Sequence, residues 1–185
     1  MDNTDISVLR GKKTGFLSLG CKVNSYETDR MREQFALAGA VICDFDTPGA
    51  DIIIVNTCSV TNIADRKSRQ MLHKARHLSP NALIAAVGCY AQAKGSEIVE
   101  AGDADICVGN SSKDRVLQLV AGEMMRRNAR KTDAGSDKDI VSIEKTSEGI
   151  KDTTGQSMTA SEYDALSLKQ AHTRAFVKIQ DGLKC

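Results

Sequence analysis

Apolar residues along this chain gather in short dense runs separated by polar stretches with a helical period. The strongest run is Ile52 to Val55, four β-branched side chains in a row. Apolar character on consecutive positions means burial on both faces, as in a parallel strand covered by helices. Gly15 to Leu19 and Ala82 to Val87 have the same character, and each leads into Gly-Cys. Val41 to Cys43 and Asp105 to Val108 read as weaker strands, and Thr47-Pro48-Gly49 as a turn. Between the strands the period changes. Met31, Phe35 and Ala38 form one helical stripe, with Asn24 or Ser25 as its cap, Glu27 in its first turn and Gly39 as its stop. A second helix is expected from Thr61 or Asn62 to about Leu78, broken by Pro80 and Asn81. Ala64, Met71, Ala75 and Leu78 lie on one side of it, and Arg66, Arg69, His73 and Arg76 on the other. A third, capped by Ser111 or Ser112, carries Val116, Leu119, Val120 and Met124. This alternation, with right-handed crossovers, predicts an α/β fold: an open, mostly parallel sheet flanked by helices, of flavodoxin- or Rossmann-like type.

The rhythm stops near residue 130. Residues 131–170 are rich in Asp, Ser, Thr, Gly and Lys, and only "IVSIE" has the character of a strand, so the stretch reads as a linker. Ala175 to Ile179 looks like the first strand of something new. The expected division is a folded domain over 12–130, a linker over 131–170 and a further, truncated element over 171–185.

Composition sharpens this picture in one respect. The 25 basic and 24 acidic residues nearly cancel, so charge does not announce a nucleic-acid binder. No apolar run approaches the roughly 20 residues of a membrane span, and the polar start lacks the apolar core of a signal peptide. A cytoplasmic protein is the expectation. In such a compartment the six cysteines are thiols or metal ligands rather than disulfides.

Position separates those cysteines. Cys21, Cys58 and Cys89 each come at the end of an expected strand. The carboxyl ends of parallel strands share one edge, where ligands of open α/β folds bind, so these three thiols are expected in one site. Cys43 and Cys107 lie within or at the end of the weaker strands and read as small core residues. No pair has C-x-x-C spacing, which argues against a zinc ribbon. Three thiolates without a fourth partner suit an iron–sulfur cube with one iron left open. A tetrahedral zinc site, which takes four ligands, is the alternative. His73 and His77 belong with the basic face of the second helix. There is no G-x-G-x-x-G opening a helix after the first strand and no Walker loop, so nucleotide binding has no support.

At these residues the chain resembles a known family. "LGCKVNSYET", "NTCSVTNIADRKSRQ" and "GCYAQ" are similar to the three cysteine motifs in the amino-terminal domain of radical S-adenosylmethionine methylthiotransferases. "RAFVKIQDG" resembles the beginning of that family's radical SAM barrel. The wording is closer to the branch acting on N6-threonylcarbamoyladenosine in tRNA than to the isopentenyladenosine branch. The resemblance implies that Cys21, Cys58 and Cys89 bind an auxiliary [4Fe–4S] cluster. It further implies a second [4Fe–4S] cluster and S-adenosylmethionine in a full-length enzyme, with tRNA and an electron-donor protein as partners. Two departures matter. Leu183 and Lys184 separate "IQDG" from Cys185, which is either a displaced first ligand of the second cluster or part of a truncated tail. The other two cysteines of that motif are missing, so this chain alone is expected to be inactive. Arg66, Arg69, His73, Lys74 and Arg76 read as a solvated helix face in preference to a phosphate-binding stripe. A non-enzymatic metal- or zinc-binding module stands as the other functional reading.

Overall fold

Strand β3 (Ile52–Thr57) shows why the fold forms. All six of its residues are buried. The side chains alternate: Ile52 and Ile54 enter one apolar layer, Ile53 and Val55 the other. The structure, a computed structural model, describes residues 5–132. In it β3 is flanked by β1 (Lys13–Ser18) and β4 (Leu83–Gly88), with β2 (Val41–Asp44) and β5 (Ile106–Val108) outside them. Every pairing is parallel and the order is β2-β1-β3-β4-β5, the flavodoxin-type arrangement. The expected α/β class and parallel sheet are therefore present.

Helices cover both faces. α1 (Lys22–Leu37) and α4 (Val116–Thr132) bring Met31, Phe35, Val116 and Val120 onto the layer holding Phe16 and Ile54. Phe16 and Phe35 meet edge to face, with ring centroids 5.6 Å apart. α2 (Asn62–Leu78) and α3 (Cys89–Glu100) bring Leu72, Ala75 and Ile98 onto the layer holding Val55 and Ile84.

Several local expectations are corrected. Asn24 and Ser25 do not cap α1: the cap position is Cys21, and Asn24 is buried within the first turn. Thr61 does cap α2, its hydroxyl accepting from the Ala64 amide at 3.1 Å. On α2 the buried stripe is centred on Ser68, Leu72 and Ala75, and Leu78 is exposed. The third expected helix has no serine cap. A 3-10 segment, Asn110–Arg115, follows Gly109 and leads directly into α4. α3 was not foreseen, because Gly95 and the polar residues around it leave no clear apolar stripe. α4 runs to Thr132, past the expected boundary at 130. The rest of the expected linker, the strand at Ala175 to Ile179 and Cys185 lie outside the described residues.

Arg76 is the largest departure. It is not part of a free basic face, because its guanidinium donates to the carbonyls of Gly102, Pro80 and Ala82 and to Asp105. Asp105 is the hub of this corner. Its Oδ2 accepts from Arg76 at 2.8 Å and from the Ile84 amide at 2.7 Å, and its Oδ1 pairs with Arg127 at 2.6 Å. One carboxylate thus ties α2, β4 and α4 to the start of β5. Cys43 and Cys107 pack, half-buried, against the second apolar layer. Burial, with Asp105 nearby, pushes the Cys107 thiol up to about 12, so it stays neutral as a core residue should.

Asp105→Ala should remove the carboxylate partner of the Ile84 amide and one partner each from Arg76 and Arg127, lowering stability by about 1–3 kcal/mol. Urea unfolding checks this. A midpoint equal to wild type would show that the hub does not hold the corner together.

Candidate metal centre

The three strand-end cysteines sit on three adjacent strands. β1 ends at Ser18, and Leu19 and Gly20 lead to Cys21 at the head of α1. Cys58 is the first residue beyond β3. Gly88 closes β4 and Cys89 opens α3. Since β1, β3 and β4 are neighbours and parallel, all three cysteines emerge at the same edge. Cys21 is exposed, Cys89 half-buried, and Cys58 only 4% exposed.

The two Gly-Cys pairs have a steric origin. Gly20 has φ +96°, and a Cβ on it would stand 2.5 Å from the Cys58 Cβ and 2.6 Å from the Cys58 sulfur. Gly88 has φ +101° and ψ −160°, a region essentially reserved for glycine. A Cβ there would stand 2.6 Å from the Thr57 carbonyl oxygen. Both glycines therefore let their cysteine-bearing turns close down on the end of β3, one from each side.

Polar side chains fix that closure, and the sequence reading missed all of them. The Asn24 amide donates to the Leu19 and Thr57 carbonyls at 2.7 and 3.1 Å. Asn56 donates to the Asn24 carbonyl at 3.0 Å and to Thr28 Oγ1 at 3.1 Å. Thr57 Oγ1 donates to the Val87 carbonyl at 2.7 Å and accepts from the Ala91 amide at 3.2 Å. Ser68 reaches from α2 to Cys58, accepting from its amide at 3.2 Å and donating to its carbonyl at 3.0 Å. The Asn110 side chain donates to the Cys89 sulfur at 3.1 Å. One signal for this network was available: the polar pair Asn56-Thr57 continues a wholly apolar strand, and buried polar groups must find partners.

Cys21 caps one helix and Cys89 begins another. Helix N-termini favour negative charge, which is what a thiolate ligand carries. Among the described residues no group of three or more His, Cys, Asp or Glu is arranged to hold a single metal ion. A tetrahedral zinc requires such convergence. A cube does not, for it presents a separate iron to each thiolate. The donor set and the glycine-shaped turns around Cys58 fit such a cluster. His73 and His77 do not join the cysteines. They lie about three and four turns along α2, with His73 Nδ1 donating to Asp103 at 3.0 Å and its Nε2 3.1 Å from His77 Nε2.

Residues 13–109 match the model of the family described as "Uncharacterized protein family UPF0004". The chain belongs to this family. Its matched span begins at β1 and ends just beyond β5, so UPF0004 comprises the sheet and all three strand-end cysteines. A threonylcarbamoyladenosine tRNA methylthiotransferase of Bacillus subtilis is 42% identical over 57% of this chain and 23% of its own length. A protein of the same name from Aquifex aeolicus is 35% identical over 64% of the chain and 28% of its own length. A tRNA-2-methylthio-N(6)-dimethylallyladenosine synthase of Leptothrix cholodnii is 34% identical over 60% and 24%. The resemblance to methylthiotransferases drawn from the cysteine motifs is thus borne out, and the chain spans about a quarter of the length of these curated relatives. Among solved structures, an adenylate cyclase of Rhodopirellula baltica aligns with a TM-score of 0.45 at 12% identity, covering 66% of this chain and 96% of that one. So slight a likeness carries no argument.

Gly88→Ala should destabilise the UPF0004 fold by about 1–3 kcal/mol, from the disallowed φ/ψ and the collision with Thr57. Gly49, at φ +71° with nothing near its missing Cβ, is the control. Equal losses in Gly88→Ala and Gly49→Ala by thermal denaturation would refute a special role for the Gly-Cys turn.

Proposed function

We propose that this chain is the auxiliary-cluster domain of a tRNA methylthiotransferase, with Cys21, Cys58 and Cys89 as the ligands of a [4Fe–4S] cluster. The carrying observation is the placement of these thiols at the carboxyl ends of three adjacent parallel strands, with two turns closed onto the third by glycine. The enzyme would add a methylthio group to C2 of N6-threonylcarbamoyladenosine next to the anticodon. The motif wording favours that branch, as does the higher identity to the Bacillus subtilis relative than to the dimethylallyladenosine synthase.

When bound, the cluster supplies an iron free of cysteine, where sulfur for the methylthio group can be held. The chain's own residues do the holding. Ser68 holds the backbone of Cys58 through both its amide and its carbonyl, which fixes where that residue sits at the edge. Thr57 joins β4 to the first turn of α3 and so sets the position of Cys89. Asn24 does the same for the turn before Cys21. The N-termini of α1 and α3 offset negative charge gathered between them.

S-adenosylmethionine cleavage, the second cluster and the electron-donor protein belong to the longer enzyme in this reading, which works on tRNA in the cytoplasm. Among the described residues no helix is long and apolar enough to cross a membrane. Arg66 and Arg69 are exposed on α2 and are read as a solvated helix surface, and Arg76 is committed to the fold.

Anaerobic reconstitution with iron and sulfide should load about four irons per chain, and Cys58→Ala should retain well under half of that iron. A triple Cys21, Cys58 and Cys89 alanine variant loading as much as wild type would sink the proposal. One tightly held zinc, without charge-transfer absorption, would instead establish the zinc-module reading.

A further inference from the structure

Beyond the three thiols, one side chain at the same edge touches a sulfur. Asn110 follows β5, the next strand along, and its Nδ2 donates to the Cys89 sulfur at 3.1 Å. An Asn at the start of a helical segment ordinarily turns its side chain to nearby backbone N–H groups. Here it is turned to a cysteine instead.

Its position is set from two sides. The Asn110 backbone amide donates to Gln92 Oε1 at 3.1 Å, and Gln92 lies one turn along α3 from Cys89. The helix that Cys89 opens therefore holds the residue that bonds back to Cys89. At the other end of the same 3-10 segment, Lys113 pairs with Glu27 of α1 at 2.6 Å, with both side chains mostly shielded (12% and 19% exposed). The segment Asn110–Arg115 thus bridges the two helices that begin at Cys21 and Cys89.

We infer that Asn110 is a positioning residue for the Cys89 ligand, whose N–H···S bond orients that sulfur and raises the reduction potential of a cluster bound there. This rests on the ligand set proposed above. The physical reason is that a donor to a ligating thiolate withdraws electron density from it. Extra negative charge on the reduced cluster is then better accommodated than without the donor.

The test uses the full chain, anaerobically reconstituted, as wild type, Asn110→Ala and Asn110→Asp. Iron content is measured first, then the midpoint potential by redox titration followed by electron paramagnetic resonance. Asn110→Ala should hold wild-type iron with its potential shifted negative. Asn110→Asp, nearly isosteric but presenting a carboxylate to the sulfur, should shift further in the same direction. Loss of iron from Asn110→Ala with a wild-type circular dichroism spectrum would make Asn110 necessary for holding the cluster rather than for tuning it, and would overturn the inference as stated. Potentials and iron contents of both variants indistinguishable from wild type would overturn the inference and leave the three-cysteine ligand set standing. A wild-type chain that binds no cluster would overturn both.

Discussion

β3 is hydrogen-bonded along both edges and covered on both faces, so none of its six residues meets water. In a strand enclosed to that degree, a polar side chain costs free energy unless it finds partners. Yet the strand ends in Asn56 and Thr57, both fully buried. The Thr57 hydroxyl and the Asn56 amide nitrogen find partners in what surrounds them, while Asn56 Oδ1 has none among the described residues. They reach Asn24 and Thr28 in the first two turns of α1, the last residues of β4 and the first turn of α3. The requirement that stabilises the central strand is the same one that fixes the loops carrying the thiols.

The account of the site follows from that coupling. Cys58 lies under Gly20 with its backbone bound by Ser68, while Cys21 and Cys89 stand further out on helix N-termini. The middle thiol is thus the most confined and the outer two the more accessible. A loop of ordinary flexibility would leave three ligands to be gathered on binding. Here two glycines and a set of short polar side chains do much of that gathering in the fold itself, which reduces the ordering left to binding.

The central strands and the shared edge were legible because consecutive apolar residues have one physical meaning, burial on both faces, and that meaning implies parallel neighbours. Gly-Cys at the ends of two such strands was visible too, though not that each glycine yields to β3. Other features had no local signature. Asn24 looks like a helix cap from its neighbours, but its amide is buried against the Leu19 carbonyl and, across the sheet edge, the Thr57 carbonyl. Arg76 has the spacing of a solvated face, but the distant Gly102 carbonyl and Asp105 claim it together with the nearby Pro80 and Ala82 carbonyls. α3 lacks a clear apolar stripe, and Asn110 acquires a role only once β5 is known to lie beside β4. Apart from α3, these misses turn on contacts made by polar side chains, which periodicity does not register.

The central claim is that Cys21, Cys58 and Cys89 together form one cluster site. Its most direct test is an anomalous difference map at the iron edge, from crystals of the anaerobically reconstituted chain. The account predicts a single multi-iron peak within bonding reach of all three sulfurs. Iron bound elsewhere, or touching only one of the three, would contradict it.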